Sequence, residues 1–284
     1  MDFAITEAQE ELAALTRRIL ASDRPHWKEL AAAGILDPSL DLLEQCSILI
    51  EIGRAASPVP YLPTVFTTGN PAAAPWFMLV PEAESILVPA GDGPCGGRVA
   101  LVHRDDPGVR IEHRFLVDGS QQDVLSLQGV SLDRTVAGLT PQTLLQRATV
   151  GVCAQQLGVL ERALEMTAAY ARERVQFGRP IGTFQAVAQR LADAYIDVEA
   201  VRLTMWQAAW RLSQGIPCEA EIAVAKFWAC DAGHRVAHTA VHIHGGVGID
   251  LDSPVHRYFV MAKRLEFTLG HATDSLLALA SRSL

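Results

Sequence analysis

Residues 171–193 read ARERVQFGRPIGTFQAVAQRLAD, a helix end, a tight turn and a helix start in one run. Arg174 closes the first helix. Gly178, Pro180 and Gly182 force the chain round, because glycine tolerates left-handed backbone and proline presets φ. Gln185 opens the second helix, whose N-terminal amides favour an anion. Beyond it Val187, Leu191, Ala194, Val198, Val201, Met205, Ala208 and Leu212 alternate by four and three, the seam of a long bundle helix.

Outward from this corner the helical pattern continues both ways. A nearly all-apolar helix over about 144–174 precedes it, and helices over about 219–242 and 255–280 follow. Gly215-Ile216-Pro217 and Gly245-Gly246-Val247-Gly248 separate them. Four long helices with short connections predict an up-and-down bundle over 140–284. At the other end Thr6 and Gln9 form a capping box, and Ala8, Leu12, Leu15 and Ile19 make an apolar stripe. A second helix over 41–56 carries Leu42, Cys46 and Leu49 on one face, and Pro58 and Pro60 stop it. Residues 1–62 thus read as a helical segment.

Between them, 63–139, glycine and proline cluster (Gly91, Gly93, Pro94, Gly96, Gly97) around short β-prone runs at 85–88, 98–103, 109–113 and 124–132. This predicts a small antiparallel sheet that packs on the neighbouring helices. The fold class is mainly α with a small β unit.

Composition narrows the function classes. The chain has 284 residues, 49% hydrophobic and 20% charged, as a globular protein has. A net charge of −8 argues against a nucleic-acid surface, and no apolar run approaches the roughly 20 residues of a membrane span. The N-terminus lacks the features of a signal peptide. Five scattered cysteines (Cys46, Cys95, Cys153, Cys218, Cys230) suit buried free thiols, and the expectation is a cytoplasmic protein. His234, His238 and His242 recur every four residues with His244 near, a spacing open to zinc, but no HExxH-type carboxylate accompanies them. Gly245–Gly248 follows a helix and lacks the GxGxxG spacing, so it is no dinucleotide fingerprint.

Three stretches carry a resemblance: MDFAITEAQEEL at the start, Ala171–Asp193, and VHIHGGVGIDLDSPVHRYFVMAKR over 241–264. Together the chain resembles the acyl-CoA dehydrogenase family, well over the bundle, partly over the N-terminal helices and poorly over the β unit. The resemblance implies FAD as cofactor, and it assigns Arg174, Phe177 and Gln185, with Gln176 close by, to the ADP half of an FAD bound in a neighbouring subunit. It also brings the Gly245-Gly246 backbone up to the ADP portion, with His242 where the family usually has Gln.

The same resemblance exposes losses. The family's Glu-Pro-x-x-Gly-Ser-Asp-like flavin segment is missing, and the β domain looks truncated. The position of the usual glutamate base holds Leu269, and the alternative base position holds Ala148; neither side chain takes a proton. Glu266, one turn earlier, is expected to pair with Lys263 or an arginine. No catalytic residue is therefore assigned to this chain. By resemblance it is one half of a heteromeric dehydrogenase of the steroid-CoA type. A longer homologous partner, in a heterodimer or heterotetramer, would bind most of the acyl-CoA and supply the base. The alternatives are a structural partner that does not touch FAD, or a same-fold flavin monooxygenase subunit.

Overall fold

In the computed structural model, residues 4–22, 26–37, 40–61, 85–90, 97–116 and 121–281 are described. Helix α1 (Glu7–Leu20) begins at the expected capping box, with acids in its first turn and Arg17 and Arg18 in its last. Its inward face is rotated from the expected stripe. Leu12, Leu15 and Ile19 reach the core, but Gln9, Thr16 and Leu20 are the buried residues and Ala8 is exposed. Buried Gln9 turns its amide to the Leu43 carbonyl and the Ser47 hydroxyl, both at 3.4 Å, which makes a polar residue tolerable there. A short helix α2 (His26–Ala32), not expected from sequence, follows.

Helix α3 (Leu42–Arg54) is capped by Asp41 and buries Leu42, Cys46 and Leu49 as expected. It ends earlier than the prolines demand, because Ala56 turns left-handed at φ 45°. The freed carbonyls are satisfied from across the fold: the Tyr258 hydroxyl donates to Arg54 O at 2.6 Å, and Arg257 donates to Ala56 O at 3.1 Å.

The β unit is two hairpins rather than one four-stranded sheet. Strand β1 (Ser85–Ala90) pairs antiparallel with β2 (Arg98–His103), and β3 (Val109–Phe115) with β4 (Gln121–Leu127). The last strand closes at Leu127 instead of running to 132, since Gly129 takes φ 68° and breaks the extended backbone. Leu87 and Val99 pack on Leu144, so the unit does lean on the bundle. Cys95 and the glycine cluster from Gly91 to Gly96 lie outside the described residues.

Helix α4 (Pro141–Glu173) starts with Pro at its first turn behind a Thr140 cap. It is followed by α5 (Gln185–Ser213) and α6 (Glu219–His244). The expected seam of α5 buries Ala194, Val198, Val201, Met205 and Ala208. The fourth bundle helix is split, contrary to expectation, into α7 (Pro254–Phe267) and α8 (Ala272–Ala280). Leu269 and Gly270 both take positive φ between them, at 61° and 94°, and His271 with Asp274 forms a fresh capping box.

One hydrophobic core runs through α1–α3 and the bundle. Helices α3 and α4 cross at backbone distance: a Cβ on Gly158 would stand 1.9 Å from Ile50 O, and one on Gly53 2.1 Å from Gln155 O. Charged clamps bind the layers at their edges. Arg54 reaches Glu161 at 2.7 Å and Glu165 at 2.8 Å, Arg202 of α5 also reaches Glu161 at 2.6 Å, and Arg235 of α6 grips Asp197 of α5 at 2.7 and 2.8 Å. Cys46, Cys153, Cys218 and Cys230 are buried free thiols, and desolvation pushes Cys153 up to about 12. Among the described residues no helix is long and apolar enough to cross a membrane.

Candidate functional site

Up-and-down connectivity puts the end of α4, the start of α5, the end of α6 and the start of α7 at one end of the bundle. There the 171–193 corner folds as a miniature hairpin, β5 (Val175–Gln176) against β6 (Arg179–Pro180). Its tip, Phe177-Gly178, has φ 52° and 78°, the signs a two-residue hairpin turn requires. Asn-Gly would serve that turn with less strain; a bulky residue in the left-handed region costs on the order of 1–3 kcal/mol. Phe177 is also 92% exposed, its ring edge-on to Phe184 at 6.1 Å between centroids. Nothing among the described residues rewards this arrangement, so the strain points outward.

The polar residues around it are equally uncommitted. Arg174, Gln185 and His242 are exposed, and their side chains make no hydrogen bond or ion pair to a described residue. Gln176 uses its amide on the Val175 carbonyl at 2.9 Å and keeps its side-chain oxygen free to accept. Phe184 caps α5 without a side-chain hydrogen bond, and the first turn of α5 holds no acid, so the Gln185 and Ala186 amides stay available to an anion. Arg179, not singled out from sequence, lies over the Phe184 ring at 4.3 Å.

The glycine segment forms a 3-10 turn over Gly245–Ile249. A Cβ on Gly245 or Gly246 would meet nothing within 4 Å, whereas one on Gly248 would meet Val241 O at 2.8 Å. Gly248 is therefore needed for packing, but Gly246, with an ordinary φ, is not needed by any described residue. Bare backbone at Gly245-Gly246 is what close approach of an external group requires. A forked cation, open helix amides, exposed amide side chains, a projecting ring and bare backbone together fit the pyrophosphate and adenosine of a dinucleotide.

The two positions that the resemblance matched to a base lie elsewhere. Ala148 is buried on α4, 26 residues before Arg174, which at the rise of an α-helix is about 40 Å away. Leu269 shares that far end, on a cavity of about 290 Å³ lined also by Leu145, Thr149, Ile222, Lys226, Glu219 and Asp274. Glu266, expected as the only nearby carboxylate, turns away to Lys263 at 2.5 Å and His234 at 3.4 Å, as the expected ion pair. The carboxylates at the cavity are instead Glu219 and Asp274. Sequence reading missed Glu219 because it arrives from another helix, and Asp274 because it lies beyond the unforeseen break. Neither is a loose acid: Gln142 donates to Glu219 at 3.0 Å, and Asp274 caps α8 by accepting from the His271 amide at 2.9 Å.

The histidines of α6 do not converge. His234 and His238 stack at 4.4 Å, with His238 edge-on to Phe259. Burial, with His234 and Lys263 beside it, holds His238 below its usual 6.5. Among the described residues no group of three or more His, Cys, Asp or Glu is placed to hold a metal.

The bundle of four antiparallel helices behind a small β unit and N-terminal helices defines a class. The family model for the acyl-CoA dehydrogenase C-terminal domain matches residues 140–283, and the chain belongs to the acyl-CoA dehydrogenase family. Enzymes of this family are oxidoreductases acting on CH–CH bonds and typically bind FAD. Among its relatives, the acyl-CoA dehydrogenase FadE27 of Mycobacterium tuberculosis is 37% identical over 361 aligned positions, covering 97% of this chain and 97% of the relative. That alignment is longer than the chain's own 284 residues, so it carries gaps on this side. A chain of the ChsE4–ChsE5 complex from Mycobacterium tuberculosis superimposes with a TM-score of 0.86 at 36% identity, covering 99% of this chain and 98% of that one. A chain of the Tcur3481–Tcur3483 steroid ACAD gives 0.88 at 31%, covering 97% of each.

Proposed function

We propose that this chain is the ADP-side subunit of a two-chain acyl-CoA dehydrogenase, with FAD gripped by Arg174, Gln176, Phe177, Gln185, His242 and the Gly245-Gly246 backbone. One observation carries the reading. The dinucleotide-fitting residues stand at one end of α4, while the base positions, held by Ala148 and Leu269, stand at the other, farther away than an extended dinucleotide reaches. A flavin gripped here has its ring, and hence its base, in another chain. That chain would be a longer homologue in a heterodimer or heterotetramer, and the two-chain complexes among the structural relatives support it. In this reading 63–139 is a truncated β domain between a 1–62 helical segment and the 140–284 bundle.

The reaction is α,β-dehydrogenation of a CoA thioester, and the steroid ACAD relative favours a bulky steroid side-chain acyl group. When bound, FAD supplies hydride acceptance. This chain's residues supply affinity and orientation: Arg174 and the α5 amides neutralise the pyrophosphate, Phe177 offers a face to the adenine, and Gly245-Gly246 admits the backbone contact. The uncommitted state of those groups favours this over a purely structural partner.

The missing base is tested by Glu266→Gln in the complex with the partner. Turnover should be nearly unchanged, because Glu266 is held in an ion pair with Lys263 and is not among the residues lining the Leu269 cavity. Collapse of steady-state turnover with FAD still bound would place the base in this chain and overturn the division of labour.

A further inference from the structure

His244, the last residue of α6, is held on three sides. Its ring stacks on Tyr170 of α4 with centroids 4.3 Å apart and planes 22° from parallel. Its Nδ1 lies 2.8 Å from the Ala240 carbonyl, which can only accept, so Nδ1 carries the proton and the ring cannot spin. Gly248 folds beneath it, where a Cβ would stand 3.1 Å from the His244 Cβ. Tyr170 lies one helical turn before Arg174, whose amide donates to the Tyr170 carbonyl at 2.8 Å, and His244 immediately precedes Gly245. The stack is thus an aromatic contact between the helix that ends in the Arg174 turn and the helix that ends in the glycine turn.

We propose that Tyr170 and His244 are a positioning pair that fixes the separation between the Arg174–Gln185 turn and the Gly245-Gly246 backbone. Neither touches the cofactor in this role, which rests on the reading of that bundle end as the FAD site. The pair acts by removing relative motion between two limbs that must meet one rigid pyrophosphate, so its loss is felt in the distant limb as well as its own. A side chain that merely filled the core under α6 would not have that effect.

Hydrogen exchange on the full chain purified with its partner and stripped of FAD tests this directly. His244→Ala should raise exchange at the 175–184 turn, on a different helix pair, by roughly three- to tenfold, the range an aromatic contact is worth. His244→Phe, which keeps the stacked ring, should restore it, and Tyr170→Leu should reproduce the loss from the other side if the histidine variants fold poorly. In FAD binding, His244→Ala should cost a similar factor alone and little more in an Arg174→Ala background. Unchanged exchange at the turn in both His244→Ala and Tyr170→Leu, or full additivity with Arg174→Ala, overturns the pair. If instead Arg174→Ala itself leaves FAD binding intact, the assigned cofactor site fails, and the exchange result alone judges the clamp.

Discussion

Arg174→Ala in the complex is expected to weaken FAD binding by about 2–5 kcal/mol, the range for removing one partner of a desolvated charge pair. That is roughly 30-fold to several-thousand-fold in dissociation constant, read by FAD titration or by flavin retained through dialysis. The size follows from the setting: the guanidinium makes no hydrogen bond or ion pair with a described residue, and the uncapped α5 amides alone would be left to face the pyrophosphate. The same isolation predicts that the fold survives, because an exposed arginine beyond the helix end holds nothing together. Arg174→Lys should recover only part of the loss, since an ammonium cannot present a fork to two oxygens. Unchanged FAD binding in Arg174→Ala, with the complex intact, would return the residue to a helix-ending role.

The second large effect is on stability. Gly158→Ala places a methyl 1.9 Å from Ile50 O and 2.9 Å from Arg54 N, both backbone atoms of α3. No rotamer relieves a backbone clash, so α3 and α4 must separate, loosening Ile48, Leu49 and Ile52 against Val152, Leu157 and Leu160. Overpacking of this kind costs about 3 kcal/mol, at the upper end of its usual range, and alanine's better helix propensity returns about 1 kcal/mol. A fall in the denaturation midpoint is expected, with the N-terminal helices undocking before the bundle as a separate transition. A midpoint equal to the parent's would contradict the close α3–α4 crossing.

The bundle was legible because its signals are local. The α5 seam, the Thr6 capping box and the turn residues around Gly178 each act within a few residues, and the structure keeps them. What sequence missed was decided at long range. The end of α3 is set by Tyr258 and Arg257 from α7, and the inward face of α1 by the partners that Gln9 finds on α3. The break at Leu269 is the instructive case. Leu-Gly followed by a His271–Asp274 capping box is a readable stop and restart, but the apolar run on both sides reads as one helix. In the candidate site, the Arg174, Phe177, Gln185, Gly245 and Gly246 assignments came from family resemblance. What the structure adds is that Arg174, Phe177 and Gln185 are exposed or strained, and Gly246 bare, for no reason among the described residues, whereas Gly245 also ends α6 at φ 63°. The Tyr170–His244 contact and Glu219 could not be read from sequence, because each joins residues from different helices.

Cofactor stoichiometry tests the central claim most directly. If the site is divided as proposed, this chain alone should purify colourless, because it would hold only the ADP end. Co-purified with its longer homologue, it should yield one FAD per pair of chains, measured as flavin absorbance against protein concentration. A yellow homo-oligomer of this chain with one FAD per chain would contradict a site divided between two different proteins.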